Sequence, residues 1–252
     1  MCLINFHFKD HPKYKLIVAA NRDEFYGRPT QPAHFWEDEP LILAGRDLQQ
    51  GGTWLGITKT GKFAALTNFR DPSRPEADKI SRGALVRDFL AKTQSPADFL
   101  KAISPSDYAG FNLLVGDADQ LFYYNNLQPE VFELTPGTYG LSNHFLDTPW
   151  PKVVKGKKFL GDYVSTHEDI ELDSLFTILS NSEQASESDL PDTGISLDFE
   201  RKLSAMFIKT PDYGTRSASV VLVDHDNNVT FAERTFEKGE LSSEQIFDLK
   251  IK

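Results

Sequence analysis

Cysteine is nearly absent from this chain: one residue, Cys2, in 252. An intrachain disulfide and any multi-cysteine zinc or iron–sulfur site are thereby excluded. Histidine adds little: of the six, at 7, 11, 34, 144, 167 and 225, only His7 and His11 have His-x-x-x-His spacing, and they lie across a strand end and its proline-containing turn rather than on one helix face, so no metal is expected. Lys/Arg-rich runs are missing too. With 27 basic against 37 acidic side chains the net charge is −10, which makes nucleic acid and anionic membrane surfaces poor partners. No window approaches 18 uninterrupted apolar residues, and no charged n-region leads into a long apolar stretch near Met1, so neither a membrane segment nor export is expected. The expected location is the cytoplasm, whose reducing conditions keep a thiol usable. Gly-x-Ser-x-Gly, Walker A and Gly-x-Gly-x-x-Gly patterns are all lacking, so the common serine-hydrolase and nucleotide signals give no lead and no cofactor is expected.

What remains is a chain with 40% hydrophobic and 12% aromatic residues, enough to bury a substantial core, here read as one domain over 1–252. The single cysteine lies directly behind the initiator methionine, at the head of the strand-like run Cys2-Leu3-Ile4-Asn5-Phe6-His7-Phe8. A lone cysteine is more often a small buried hydrophobe. Aminopeptidases, however, remove Met1 when the second residue is small, and Cys2 would then carry a thiol and a free α-amine together. That amine titrates near ~7.7–8.0, so it can accept the thiol proton at physiological pH.

Leu3 to Phe8 and Lys15 to Ala20 read as a hairpin around a polar, proline-containing turn, and the second run ends in Asn21-Arg22-Asp23-Glu24. Antiparallel pairing then brings a guanidinium and two carboxylates close to Cys2. Phe25 to Glu39 is read as loop, punctuated by Pro29 and Pro32. A second hairpin, through Gly51 to Thr58 and Phe63 to Phe69, also ends in polar residues, Asn68 and Arg70. Helices are predicted over Ser81 to Lys92, Asp98 to Ile103, Lys152 to Phe159 and Asp173 to Leu179. Four short strands, Phe111–Val115, Gln120–Tyr124, Glu130–Leu134 and Thr138–Ser142, read as one meander. Residues 181–193 read as a mobile surface loop, Arg216 to Asp224 and Asn228 to Phe236 as a hairpin, and Ser242 to Lys252 as a short helix. Asp224-His225-Asp226-Asn227-Asn228 opens like a calcium loop, but Val229 and Thr235 stand where glycine and glutamate are needed, so it reads as a turn. Strand-rich blocks at both ends with helices between them predict an α+β fold of two mainly antiparallel sheets covered by helices.

Each polar candidate has a plain alternative. Arg22, Asp23 and Glu24 could be a solvated turn, Asn68 and Asn143 could cap strand ends, and Arg216 could pair with a surface carboxylate. Five apolar residues before Arg22, and Phe25-Tyr26 after Glu24, argue that the cluster is partly buried, where charges need partners.

Taken together, the segments resemble a known family. Asn21-Arg22-Asp23-Glu24 matches the motif that names the NRDE family, which includes the transport-and-Golgi-organisation proteins. Met1-Cys2, Gly51-Gly52-Thr53-Trp54-Leu55-Gly56, Thr67-Asn68-Phe69-Arg70, Ser81-Arg82-Gly83, Phe111-Asn112-Leu113-Leu114-Val115-Gly116-Asp117, Tyr139-Gly140-Leu141-Ser142-Asn143, Pro149-Trp150-Pro151-Lys152-Val153 and Gly214-Thr215-Arg216-Ser217 follow in the same order. The skeleton is also similar to cysteine N-terminal-nucleophile hydrolases of the choloylglycine hydrolase and penicillin V acylase type. That resemblance implies a four-layer α-β-β-α sandwich. It matches Cys2 to the nucleophile, Arg22 to the arginine beside the thiol, Asn68 and Asn143 to the oxyanion-stabilising positions and Arg216 to a late arginine at the site. The bile-salt enzymes place an amine-orienting aspartate three residues after the first arginine; here that residue is Phe25, and the role falls to Asp23 or Glu24.

Two functions are compatible with these features: hydrolysis of a small-molecule linear amide or acyl substrate, and carriage of haem or an acyl lipid without turnover. Nineteen Phe, eight Tyr and three Trp could furnish an acyl pocket or a porphyrin slot equally well.

Overall fold

The computed structural model describes residues 2–74 and 78–251. The expected removal of Met1 concerns a residue outside that set. Strands β1 (Cys2–Phe8) and β2 (Tyr14–Phe25) form the expected hairpin, but β2 runs on through the Asn21-Arg22-Asp23-Glu24 cluster rather than stopping before it. The reason is a second neighbour. β2 also pairs along its length with β11 (Tyr213–Asp224), so its outer half has ladder partners on both sides. A strand flanked on both edges is buried, and Asn21, Arg22 and Asp23 are only 1–5% exposed.

Two antiparallel sheets result. One has the order β10-β1-β2-β11-β12-β13, with β10 (Gly137–Leu141), β12 (Asn228–Glu237) and β13 (Glu240–Lys250). The other runs β3-β4-β5-β6-β7-β8-β9, comprising Thr30–Phe35, Ile42–Asp47, Leu55–Thr58, Phe63–Asn68, Phe111–Gly116, Leu121–Asn125 and Gln128–Glu133. Alternation sends Ile4, Phe6, Phe8, Leu16 and Val18 inward against Leu43, Leu55, Ile57, Phe63 and Leu114 of the other sheet. The opposite face of β2, with Ile17 and Ala19, packs on α3 (Pro151–Thr166) and α4 (Leu172–Leu179). Ala64, Leu66, Leu113 and Val115 of the second sheet receive α1 (Gly83–Ala91) and α2 (Pro96–Lys101), the latter capped by the Ser95 hydroxyl accepting from the Asp98 N–H. The layers are therefore α-β-β-α, as the resemblance implied. Each large side chain fully buried in these layers is worth about 1.5–3 kcal/mol of transfer free energy. No helix among the described residues is long and apolar enough to cross a membrane.

Three local expectations fail, each because tertiary pairing overrides local pattern. Thr138–Ser142 was expected to close the meander, yet β10 leaves it and pairs with β1 in the other sheet, Ile4 opposite Leu141. Residues 25–39 are not all loop: β3 occupies a sheet edge, where proline is tolerated, and its register breaks between Gln31 and His34, around Pro32. The predicted C-terminal helix is strand β13, whose alternate residues Phe247 and Leu249 pack inward while Ile246 is 51% exposed. A helix at α5 (Leu197–Leu203), capped by Ser196, follows the 181–193 segment and was not anticipated. The Asp224 turn is a hairpin turn as read, its carboxylate accepting from the Asp226 and Asn228 N–H groups.

Near β3 the inter-sheet core turns polar. Glu233 of β12 is 1% exposed, and its Oε1 accepts the Ala33 N–H freed by the register break in β3 (2.7 Å). Burial pushes the Glu233 carboxyl up to about 7, against the opposing pull of the Ala33 N–H, the Ser219 hydroxyl and Arg22. A carboxyl raised in the folded state binds its proton more tightly there, so stability falls as pH climbs from about 4.5 through about 7, by on the order of 3 kcal/mol. Glu233→Gln keeps an acceptor for Ala33 without the titration. Denaturant melts should find this variant more stable than the parent above pH ~8, with the gap closing near pH ~4.5; parallel curves at both pH values would contradict the assignment.

Candidate active site

Antiparallel register sets Cys2 directly opposite Arg22. Both side chains project from the face of the first sheet that looks toward the second, since Cys2 shares its pleat with Ile4, Phe6 and Phe8. They open onto a cavity of about 250 Å³ between the sheet ends. The Arg22 guanidinium lies 4.4 Å over the Trp54 ring, donates to the Thr30 hydroxyl (3.3 Å) and sits 3.8 Å from the Glu24 carboxylate. Arg28 binds Asp47 at 2.5 Å and lies 3.8 Å from Glu24, so charges of both signs line this wall.

Asp23 points the other way, into the helix layer. Its Oδ1 accepts from the Thr215 hydroxyl (2.8 Å), its carbonyl accepts from Tyr213 (3.0 Å), and its Oδ2 is 3.9 Å from the buried ammonium of Lys152. Burial raises the Asp23 carboxyl above its ordinary value, opposed by Lys152. Glu24 stays on the cavity side, its Oε1 accepting from the Phe25 N–H. The two carboxylates left open by the sequence are therefore separated by the sheet.

Asn68 ends β6 and lines the cavity, and its carbonyl accepts a hydrogen bond from Asn143 Nδ2 at 2.9 Å. Asn143 is fully buried, with its own carbonyl taken by the Arg70 N–H at 2.7 Å. Ser142 ties this pair to the Cys2 backbone: its hydroxyl lies 3.0 Å from the Cys2 carbonyl and 3.1 Å from Asn143 Oδ1. Cys2, Arg22, Asn68 and Asn143 thus converge. Arg216 does not line this cavity. It stands at a bulge in β11, borders a neighbouring cavity that shares the Trp54 wall, and donates to the carbonyls of Phe25, Tyr26 and Arg28 at 2.9–3.0 Å. Its contribution in this arrangement is to hold the chain that follows the cluster.

A family model for Transport and Golgi organisation 2 matches residues 1–238. The chain is 41% identical over 257 residues to a mouse Transport and Golgi organization 2 homolog, covering 93% of each protein, and 40% identical over 268 residues to a human homolog, covering 96% and 95%. It belongs to the Transport and Golgi organisation 2 family. Among solved structures, a conjugated bile acid hydrolase from Clostridium perfringens superimposes with a TM-score of 0.56 at 12% identity, covering 100% of this chain and 92% of that one. A Caenorhabditis elegans N-acylethanolamine-hydrolyzing acid amidase ortholog gives 0.53 at 10% identity, covering 88% and 92%. These likenesses are of fold, and the fold is that of the N-terminal-nucleophile hydrolases.

For this family member, the thiol's electrostatics depart from a simple expectation. Arg22 does pull the Cys2 thiol toward thiolate, but burial, reinforced by Asp23, outweighs it and leaves the pKa above the ordinary cysteine value. A thiol so placed stays protonated at neutral pH and needs a base to become a nucleophile. Sequence reading passed over Lys152, Thr215, Tyr213, Ser142 and Trp54 as single side chains. The quoted motifs contained four of them, Trp54, Ser142, Lys152 and Thr215, without assigning any a role; Tyr213 lay outside every motif.

The Gly-Gly pair has a steric explanation. A Cβ on Gly52 would lie 2.5 Å from the Gly83 carbonyl carbon and 2.6 Å from its oxygen, where the Thr53 N–H also bonds to Gly83 (3.2 Å) and closes the cavity floor against α1. Overpacking against backbone costs about 1–3 kcal/mol. Gly52→Ala should lower the melting temperature accordingly, whereas Gly27→Ala, with nothing within 4 Å of the added carbon, should leave it unchanged.

Proposed function

We propose that this protein hydrolyses small, polar, non-peptide linear amides, with Cys2 as the nucleophile once Met1 has been removed. The observation that carries the reading is the register pairing of Cys2 with Arg22 above a cavity reached by Asn68, itself bonded to Asn143. The Cys2 α-amine takes the thiol proton, and the sulfur attacks the carbonyl carbon. Asn143 Nδ2 spends one N–H on Asn68 and keeps a second for the oxyanion, which the Asn68 backbone N–H also serves. The amine returns its proton to the departing nitrogen, leaving a thioester. Water, deprotonated by the same amine, then releases the acid and restores the thiol. A raised thiol pKa fits this scheme, because a base on the same residue makes a preformed thiolate unnecessary. A thiol that must stay reduced is suited to the cytoplasm, and one domain, 1–252, would suffice.

The carrier alternative finds less support in the cavity. At about 250 Å³ it falls below the usual range for drug-sized ligands. Arg22, Glu24, Arg28, Asp47, Lys79 and Arg82 line it, and of the 30 aromatic residues only Trp54 does. A porphyrin or a long acyl chain needs apolar walls; the phenylalanines here fill the cores instead.

Intact mass of protein from its own host should show Met1 absent. In a screen of hydrophilic linear amides, Cys2→Ala should abolish turnover and Asn143→Ala should lower kcat on the order of 10²–10³-fold. Retention of Met1 in every molecule, together with a Soret shift on haemin titration, would move the conclusion to the carrier.

A further inference from the structure

Lys152 is the second residue of α3, in a helix whose other lysines behave conventionally. Lys155, Lys157 and Lys158 reach Glu183, Asp147 and Asp162 at the surface. Lys152 instead turns under the first sheet and is 2% exposed. Its Nζ lies 3.9 Å from Asp23 Oδ2, and no hydrogen-bond acceptor among the described residues reaches it. An ammonium taken out of water without hydrogen bonds is one of the costlier arrangements a fold can hold, and it persists only where a nearby opposite charge offsets part of the cost.

That opposite charge is the carboxylate immediately behind Cys2. Among the described residues, the titratable groups that act most strongly on Lys152 are Asp23 from β2, Arg70 after β6, Cys2 from β1 and Glu200 from α5. Arg70 and Glu200 satisfy one another at 2.6 Å, with the Arg70 guanidinium 4.7 Å over Trp150 and Glu200 also accepting from the Thr193 N–H. Asp23 is the only one of the four that can serve Lys152 as its main partner.

We propose that Lys152 is a positioning residue for the Cys2 site: its buried ammonium holds the Asp23 carboxylate in the charged form beside the nucleophile. The inference rests on the nucleophile reading of Cys2. It assigns the carboxylate role to Asp23 rather than Glu24, whose side chain is on the cavity side with Arg22 and Arg28. A neutral carboxylic acid in the same place could not stabilise the ammonium that forms when the Cys2 α-amine takes the thiol proton. The geometry agrees with the titration: burial lowers Lys152 to about 8, Asp23 opposing the drop, so the support is present at neutral pH and fades above it.

Because Cys2 is the only cysteine, its alkylation by iodoacetamide, followed by mass, reports on the site without any substrate. The full chain would be compared over pH ~6–9.5 as wild type, Lys152→Met, Lys152→Arg, Asp23→Asn and the Asp23→Asn/Lys152→Met double variant, with Lys152→Gln replacing Lys152→Met if the latter does not fold. The expected result is coupling. Lys152→Met should let Asp23 take up a proton, so that it no longer holds the thiol pKa up; the alkylation midpoint should move downward by about one unit, an about tenfold faster reaction at neutral pH, and Lys152→Arg should reverse much of the change. In the Asp23→Asn background the same lysine change should shift little. An equal shift in both backgrounds, or a profile that superimposes on the parent, overturns the proposal. Amide turnover is scored separately. Coupled alkylation without turnover keeps Lys152 in this role and defeats the hydrolase, whereas turnover without coupling does the reverse.

Discussion

Two-sided pairing of β2 is the constraint on which the rest of the structure depends. Flanked by β1 as far as Arg22 and by β11 as far as Phe25, this strand stays paired through its polar end, which therefore does not fray into solvent. Its side chains must therefore find partners within the protein. Pleating divides them: Arg22 joins Cys2 in the space between the sheets, while Asn21 and Asp23 enter the helix layer. There Asn21 donates to the carbonyls of Leu179 and Met206, and Asp23 meets Thr215 and Lys152. A one-residue slip would exchange these sets and place the aspartate in the cavity.

The site is thus built through the sheet. On the inner side are the thiol, a guanidinium stacked on Trp54 and the Asn68–Asn143 pair, all rigidly held by strand ends. Behind it lies a layer of buried charge, Asp23 with Lys152 and Arg70 with Glu200, supplied by α3, α5 and the segment after β6. A preorganised outer layer of this kind keeps reacting groups in place more effectively than mobile loops do. It also explains why so many ionisable groups tolerate burial: opposite charges are placed within a few ångströms, at the cost of making each depend on the others.

Local motifs in the sequence made a large part of the molecule legible. The β1–β2 hairpin, the α1 and α2 helices, the strand ends at Asn68 and Asn143 and the convergence of the Asn21-Arg22-Asp23-Glu24 cluster on Cys2 all follow from alternation, turn residues and capping within short stretches. Where reading failed, the deciding partner was distant. Strand β10 is assigned to a sheet by β1, more than a hundred residues away, and β13 is a strand because β12 offers it a paired edge. Lys152 looks like its three solvent-facing helix neighbours in sequence; only the packing of α3 on β1 and β10 makes it a buried ion.

The sequence by itself determined which chemical groups exist and which local periods they follow. A lone thiol next to the start, no second cysteine, no basic run and strand-like alternation around a charged tetrapeptide are properties of short windows, where sterics and solvation act locally. Tertiary structure alone decided which face each charge occupies, that burial outweighs Arg22 in setting the thiol's proton affinity, that Asp23 rather than Glu24 meets Lys152, and that Arg216 holds the 25–28 backbone instead of lining the cavity. Those outcomes depend on dielectric surroundings and on contacts between segments as much as 192 residues apart, neither of which a linear chain carries before it folds.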